Sequence, residues 1–149
     1  MTHDTWILIA DAGRARLCVQ KGLAGPCRMV QSFANPSARG SDRDLGSDRP
    51  GRVQQRGSGG RAALQPRLTP KRIETAQFAR EVMAAAAAAL DQDASARLLL
   101  VAPPRFLGLL RQAAPAAVCD RIDASLAVDL TAVSEHDLPE RLAALRAEV

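Results

Sequence analysis

Between Arg39 and Arg72 the chain carries nine lysines and arginines (Arg39, Arg43, Arg49, Arg52, Arg56, Arg61, Arg67, Lys71, Arg72) against three acids (Asp42, Asp44, Asp48). This local excess is larger than the +4 of the whole chain, so the remaining residues sum to about −2. Guanidinium forks match oxyanions bidentately, which makes phosphate recognition the chemistry on offer. Arg49 and Arg52 flank the Pro50-Gly51 turn of the string Ser47-Asp48-Arg49-Pro50-Gly51-Arg52 and can present both forks to one phosphate-rich surface. The same string reads as a structural turn if Asp48 caps local amides and Arg49 pairs with Asp44 or Asp48. Arg56 and Arg61 continue the basic run, and Gly57, Gly59 and Gly60 give it a permissive backbone. A flexible basic loop that orders on RNA is the functional expectation.

Elsewhere the reactive residue types are sparse. Pro103-Pro104-Arg105-Phe106 falls where an apolar run stops and helical spacing resumes, so Arg105 can face an anion outside the carboxyl end of a strand. Read structurally, the proline pair ends the strand and Phe106 belongs to the core. Asp11, Glu74, Asp123 and Asp129 are the carboxylates to consider for two-metal nuclease chemistry, which needs three or four of them to converge. Asp11 in Asp-Ala-Gly serves equally well as a hairpin-turn residue. His3 and His136 have no partner at ligand spacing, so no metal site is expected. Gly57-Ser58-Gly59-Gly60 lacks the Lys-Ser/Thr of a phosphate loop, and nothing calls for a cofactor.

The elements that must position these residues follow from periodicity. Thr5 to Ala10 is an apolar run of strand length, Asp11-Ala12-Gly13 is a turn, and Arg14 to Val19 alternates as a second strand of a hairpin. Cys27 to Phe33 is a third strand. Thr69-Pro70 starts a helix that runs to about Leu90, with Phe78, Val82, Ala85 and Ala89 on one row and Ala79, Met83, Ala86 and Leu90 on the next. Arg97 to Ala102 is a continuous apolar run, as in a central strand covered on both faces. Arg105 to Val118 has helical spacing disturbed near Pro115, and Arg121 to Val128 is a last strand. Asp137-Leu138-Pro139-Glu140 has the form of a capping box opening a terminal helix with Leu142 and Leu145 inward. The expected architecture is α/β: one domain over residues 1–149, a mixed sheet with helices packed on it, and an Arg/Gly-rich loop at about 36–69.

Composition narrows the setting. The chain has 149 residues, 47% hydrophobic and 24% charged, which is ordinary for a single soluble domain. Arginine outnumbers lysine 18 to 2, which suits phosphate recognition and equally suits a bias toward GC-rich codons. Cys18, Cys27 and Cys119 are odd in number and lack metal-type spacing, so a reducing, cytoplasmic compartment is expected. No signal-peptide pattern opens the chain and no apolar run is long enough to span a membrane.

Three strings carry a resemblance. The run from Trp6 through Asp11 and Arg14 to Leu17, the string Ser47 to Arg52, and Val101-Ala102-Pro103-Pro104-Arg105-Phe106-Leu107-Gly108-Leu109-Leu110 resemble the bacterial host-attachment protein family, in the same order and at compatible spacing. That family is in turn similar to the middle domain of archaeal and eukaryotic class-1 release factors and of pelota. The resemblance implies a ribonuclease-H-like mixed sheet with a flexible loop before its long helix. In release factors that loop carries Gly-Gly-Gln and promotes peptidyl-tRNA hydrolysis. This chain has Gly59-Gly60-Arg61 there, and arginine offers donors only and stays cationic. The expectation is therefore a non-catalytic module that engages RNA or the ribosome through the phosphate backbone, using Arg49, Arg52, Arg56, Gly59, Gly60, Arg61 and Arg105. Scarce aromatics (Trp6, Phe33, Phe78, Phe106) argue against reading single-stranded bases by stacking. The rival expectations are a peptidyl-tRNA hydrolase or nuclease-type enzyme, and a protein-interaction scaffold in a surface-attachment pathway.

Overall fold

Unbroken apolar runs on two central strands build the molecule. The computed structural model describes residues 4–22, 25–36 and 69–147. The strands β1 (Asp4–Ala10), β2 (Arg14–Lys21) and β3 (Cys27–Ala34) form an antiparallel meander. Helix α1 (Pro70–Asp91) then leads into β4 (Arg97–Ala102), α2 (Pro104–Ala113), the short α3 (Ala116–Cys119), β5 (Ile122–Ala127) and α4 (Leu138–Ala147). The sheet order is β3-β2-β1-β4-β5, with β4 parallel to β1 and β5 parallel to β4. This is the expected α/β arrangement, a five-stranded mixed sheet with helices packed on it.

Successive side chains of a strand point to opposite faces, and both faces of β1 and β4 are apolar. Leu8, Ala10, Leu98 and Leu100 join Phe78, Val82, Met83, Phe106 and Leu110 in one core, beneath α1 and α2. Ile7, Ile9, Leu99 and Val101 join Leu126, Leu130, Leu138 and Leu142 in a second core, beneath α4. The two central strands are therefore covered on both sides, as their unbroken apolar runs predict. Ala79 and Ala86 are among the buried residues of α1, and their small size lets that helix lie close to the sheet.

Local rules account for most boundaries. The Thr69 hydroxyl accepts a hydrogen bond from Arg72 N at 3.3 Å, and Pro70 occupies the first helical turn, so α1 starts where the sequence places it. The helical stretch expected from Arg105 to Val118 is two helices. Ala114 is extended (φ −75°, ψ 127°) because a residue before proline is pushed out of the helical region, and Pro115 precedes the new start at Ala116. The entry to α4 is organised by Ser134, whose Oγ accepts from Asp137 N at 3.2 Å, in place of the anticipated Asp137–Glu140 box. Leu142 is buried there and Leu145 packs partly against the same core.

Cys18 and Cys27 are buried on the α4 side of the sheet, while Cys119 is exposed, and all three are free thiols. Burial pushes the Cys18 thiol up to about 11, with the Arg16 guanidinium opposing the rise and Cys27 and Glu135 adding to it. Both buried cysteines behave as small apolar residues. Residues 37–68, most of the expected Arg/Gly-rich loop, lie outside the described residues.

Candidate functional site

Parallel β1 and β4 end side by side, and the segments that follow them frame a cleft of about 540 Å³. It is lined by Asp11, Ala12, Gly13 and Arg14 from the β1–β2 turn, Thr75 from α1, and Pro103, Arg105, Phe106 and Leu109 from the start of α2. Two strings singled out in the sequence, Asp-Ala-Gly-Arg and Pro-Pro-Arg-Phe, meet here although they are about 90 residues apart.

Asp11 builds the turn. Its Oδ1 accepts from Gly13 N at 2.8 Å and Arg14 N at 2.9 Å, and its backbone N–H donates to Arg14 O at 2.8 Å. These bonds hold the hairpin tight and leave the Arg14 side chain exposed at the cleft. On its far side Asp11 meets Thr131, whose buried hydroxyl stands 3.2 Å from Asp11 Oδ2 and 2.6 Å from Asp129 Oδ1. Thr131 N also donates to Asp129 Oδ1 at 2.9 Å. Burial alone would raise the Asp129 carboxyl; bonds from the Thr131 hydroxyl and N–H, the Arg14 charge and the Asp11 side chain outweigh it. The result lies below the ordinary 3.8.

Arg16 places the loop that brings Thr131 to Asp11. Its Nη2 donates to Leu130 O at 2.8 Å and to Val133 O at 2.5 Å, pinning the segment after β5 onto β2. On the opposite wall, Phe106 packs against Phe78 with ring centroids 6.0 Å apart, and this contact fixes the first turn of α2 to α1. Phe106 is thus a core residue, 4% exposed. Its neighbour Arg105 is exposed and makes no hydrogen bond or ion pair among the described residues. Pro103 opens α2 without a side-chain cap, so the positive end of that helix faces the same region as Arg105.

The cleft also marks where the basic segment joins the fold. Asn35, next after β3, donates from its backbone N to Gly13 O at 2.9 Å and from Nδ2 to Ala12 O at 3.1 Å. At the other junction, α1 begins beside Thr69 and reaches the cleft with Thr75 on its second turn. The start of the connection between β3 and α1 therefore lies beside the cleft, and α1 reaches it through Thr75.

The family model described as protein required for attachment to host cells matches residues 6–142. The chain belongs to the host-attachment family. A search of curated proteins finds no match.

Within this family member, Asp11, Pro103 and Arg105 come together at the cleft, with Pro104 in the same first turn of α2. Ser47, Asp48, Arg49, Pro50, Gly51, Arg52, Arg56, Gly59, Gly60 and Arg61 lie outside the described residues. The carboxylates considered for metal chemistry do not all converge. Asp11 and Asp129 meet through Thr131, but Asp123 pairs with Arg97 at 2.8 Å and Glu74 is absent from the cleft lining. Among the described residues no three acidic, histidine or cysteine side chains group as metal ligands would. Sequence reasoning missed Arg14, Thr75, Leu109 and Thr131. Arg14 was within reach, since it stands three residues after Asp11 inside a string already singled out. The others carry no local signal.

Several arginines prove structural. Arg121 donates to Ala96 O at 3.1 and 2.9 Å, to Leu90 O at 2.9 Å and to Asp93 O, closing the carboxyl end of α1. Together with Arg16 it accounts for part of the arginine excess without any ligand.

Proposed function

We propose that this host-attachment protein is a non-catalytic cytoplasmic module that binds RNA, and ribosomal RNA in particular, through the phosphate backbone. The single observation that carries the reading is the placement of the cleft. Arg14 and Arg105 line it, and Asn35, where the chain leaves β3 toward the Arg-rich connection, is hydrogen-bonded to Ala12 and Gly13 of the same lining. Cationic side chains gathered at one edge of a domain supply a sequence-independent attraction for a polyanion. The sheet order β3-β2-β1-β4-β5, an antiparallel meander followed by two parallel strands, supports the ribonuclease-H-like reading and with it the likeness to the release-factor middle domain.

Arg49, Arg52, Arg56 and Arg61 extend the cationic surface in this reading, with Gly59 and Gly60 giving the segment room to follow the nucleic acid. Attachment to host cells is then an indirect consequence, reached through expression of surface components. Free thiols at Cys18, Cys27 and Cys119 agree with a reducing compartment.

The test is co-sedimentation with ribosomal particles at low salt. The wild-type chain is expected to sediment with them, and the variant with Arg49, Arg52, Arg56 and Arg61 all changed to Glu is expected to stay in the supernatant. Equal sedimentation of the two proteins would refute the reading.

A further inference from the structure

The cleft offers more than positive charge. A surface that only gathers a backbone needs cations, yet the wall from Pro103 through Phe106 to Leu109 is apolar. Its volume of about 540 Å³ falls within the range of small-molecule sites. Opposite that wall stands Asp11. Its Oδ1 accepts from two backbone N–H groups and its Oδ2 stands 3.2 Å from the Thr131 hydroxyl, so the carboxylate, which lines the cleft, still has lone pairs to offer. Thr75 donates its hydroxyl proton to Lys71 O at 2.8 Å, so toward the cleft its oxygen acts as an acceptor. Arg105 makes no hydrogen bond or ion pair among the described residues.

A ligand that satisfies all of these groups is anionic at one end, carries hydroxyl or amino donors, and has an apolar body. Inorganic phosphate meets the first demand only. A sugar phosphate lacks the apolar body, and a nucleoside lacks the anion. We infer that the cleft is a binding site for one nucleotide unit. Its phosphate lies between Arg14 and Arg105, its ribose hydroxyls or base amino group reach Asp11 and Thr75, and its base rests on Pro103 and Leu109. This deepens the RNA-binding reading and rests on it, by assigning the cleft a defined unit of the polymer. The site as assigned is made of described residues alone.

Calorimetric titration of the full-length chain with adenosine 5′-monophosphate, ribose 5-phosphate, inorganic phosphate and adenosine tests the assignment. The monophosphate is expected to bind at least about tenfold more tightly than any of the other three, since each lacks at least one recognised group. Arg105→Ala is expected to weaken it by about tenfold or more. Arg80→Ala, a change to an exposed cation of α1 away from the cleft, is expected to leave it unchanged. A 5′-phosphorylated hexaribonucleotide that displaces the monophosphate marks the unit as part of an RNA chain; failure to displace it marks a free nucleotide, and both keep the site. Equal binding of monophosphate and inorganic phosphate, no binding of monophosphate, or indifference to Arg105→Ala each overturn the inference. In those cases unimpaired binding of long RNA shows that the broader reading survives; conversely, Arg105-dependent monophosphate binding without RNA binding removes that reading and keeps the cleft.

Discussion

Thr131 joins two carboxylates that would otherwise repel. Its hydroxyl and backbone N–H serve Asp129, and the same hydroxyl reaches Asp11 at the floor of the cleft. Thr131→Val keeps the shape and removes the hydroxyl. It is expected to destabilise the protein by about 1–3 kcal/mol in chemical denaturation, because the hydroxyl's one proton, held chiefly by Asp129 at 2.6 Å, is lost. The Asp129 carboxyl sits below 3.8 in the folded protein, so the stability tied to it is present above that value and is lost as pH falls through the folded one. Acid unfolding followed by circular dichroism should therefore begin at higher pH in Thr131→Val than in wild type; coincident acid transitions would show that Thr131 does not hold Asp129 low. At this scale the sequence is legible only where partners are close. Asp11 as a turn residue is written in Asp-Ala-Gly, since Oδ1 bonds backbone two and three residues on. The reach of Thr131 to Asp11 and the bonds of Arg121 are silent, because those partners lie 120 residues away in one case and 25 to 31 in the other.

Elements were easier to foresee than contacts, and the reason is periodicity. The meander, the long helix and the buried strand Arg97–Ala102 follow from apolar residues alternating by two, spaced by three and four, or unbroken. Pro115 signalled a disturbance, but whether a helix kinks or splits depends on the residue before the proline, and Ala114 becomes extended. The alanine run of α1 tests packing directly. Ala86 is fully buried while Ala88 faces solvent. Ala86→Leu should cost about 1–3 kcal/mol by forcing the helix off the sheet, while Ala88→Leu should change stability by less than about 0.5 kcal/mol. Thermal unfolding of the two variants settles the point, and equal midpoints would mean that close approach of α1 is not what the alanines provide.

The whole molecule puts its chemistry at one edge. Parallel β1 and β4 end together, the turn after β1 supplies Arg14 and Asp11, and the helix after β4 supplies Arg105. The opposite edge of the fold is where Arg121 closes the carboxyl end of α1, so cations there are consumed by the protein's own carbonyls. That division could not be read from composition, which counts 18 arginines without saying which are spent on structure. The cleft required the topology, because only the β1–β4 pairing brings Asp11 and Arg105 together. If cations at this edge bind a phosphate backbone, the salt dependence of affinity for a single-stranded RNA measures it most directly. For the wild-type chain log affinity should fall linearly with log salt, by roughly 0.7 for each phosphate contacted, and Arg105→Ala should lessen the slope by about that amount. An affinity that stays flat as salt rises, or a slope that Arg14→Ala and Arg105→Ala leave untouched, would contradict it.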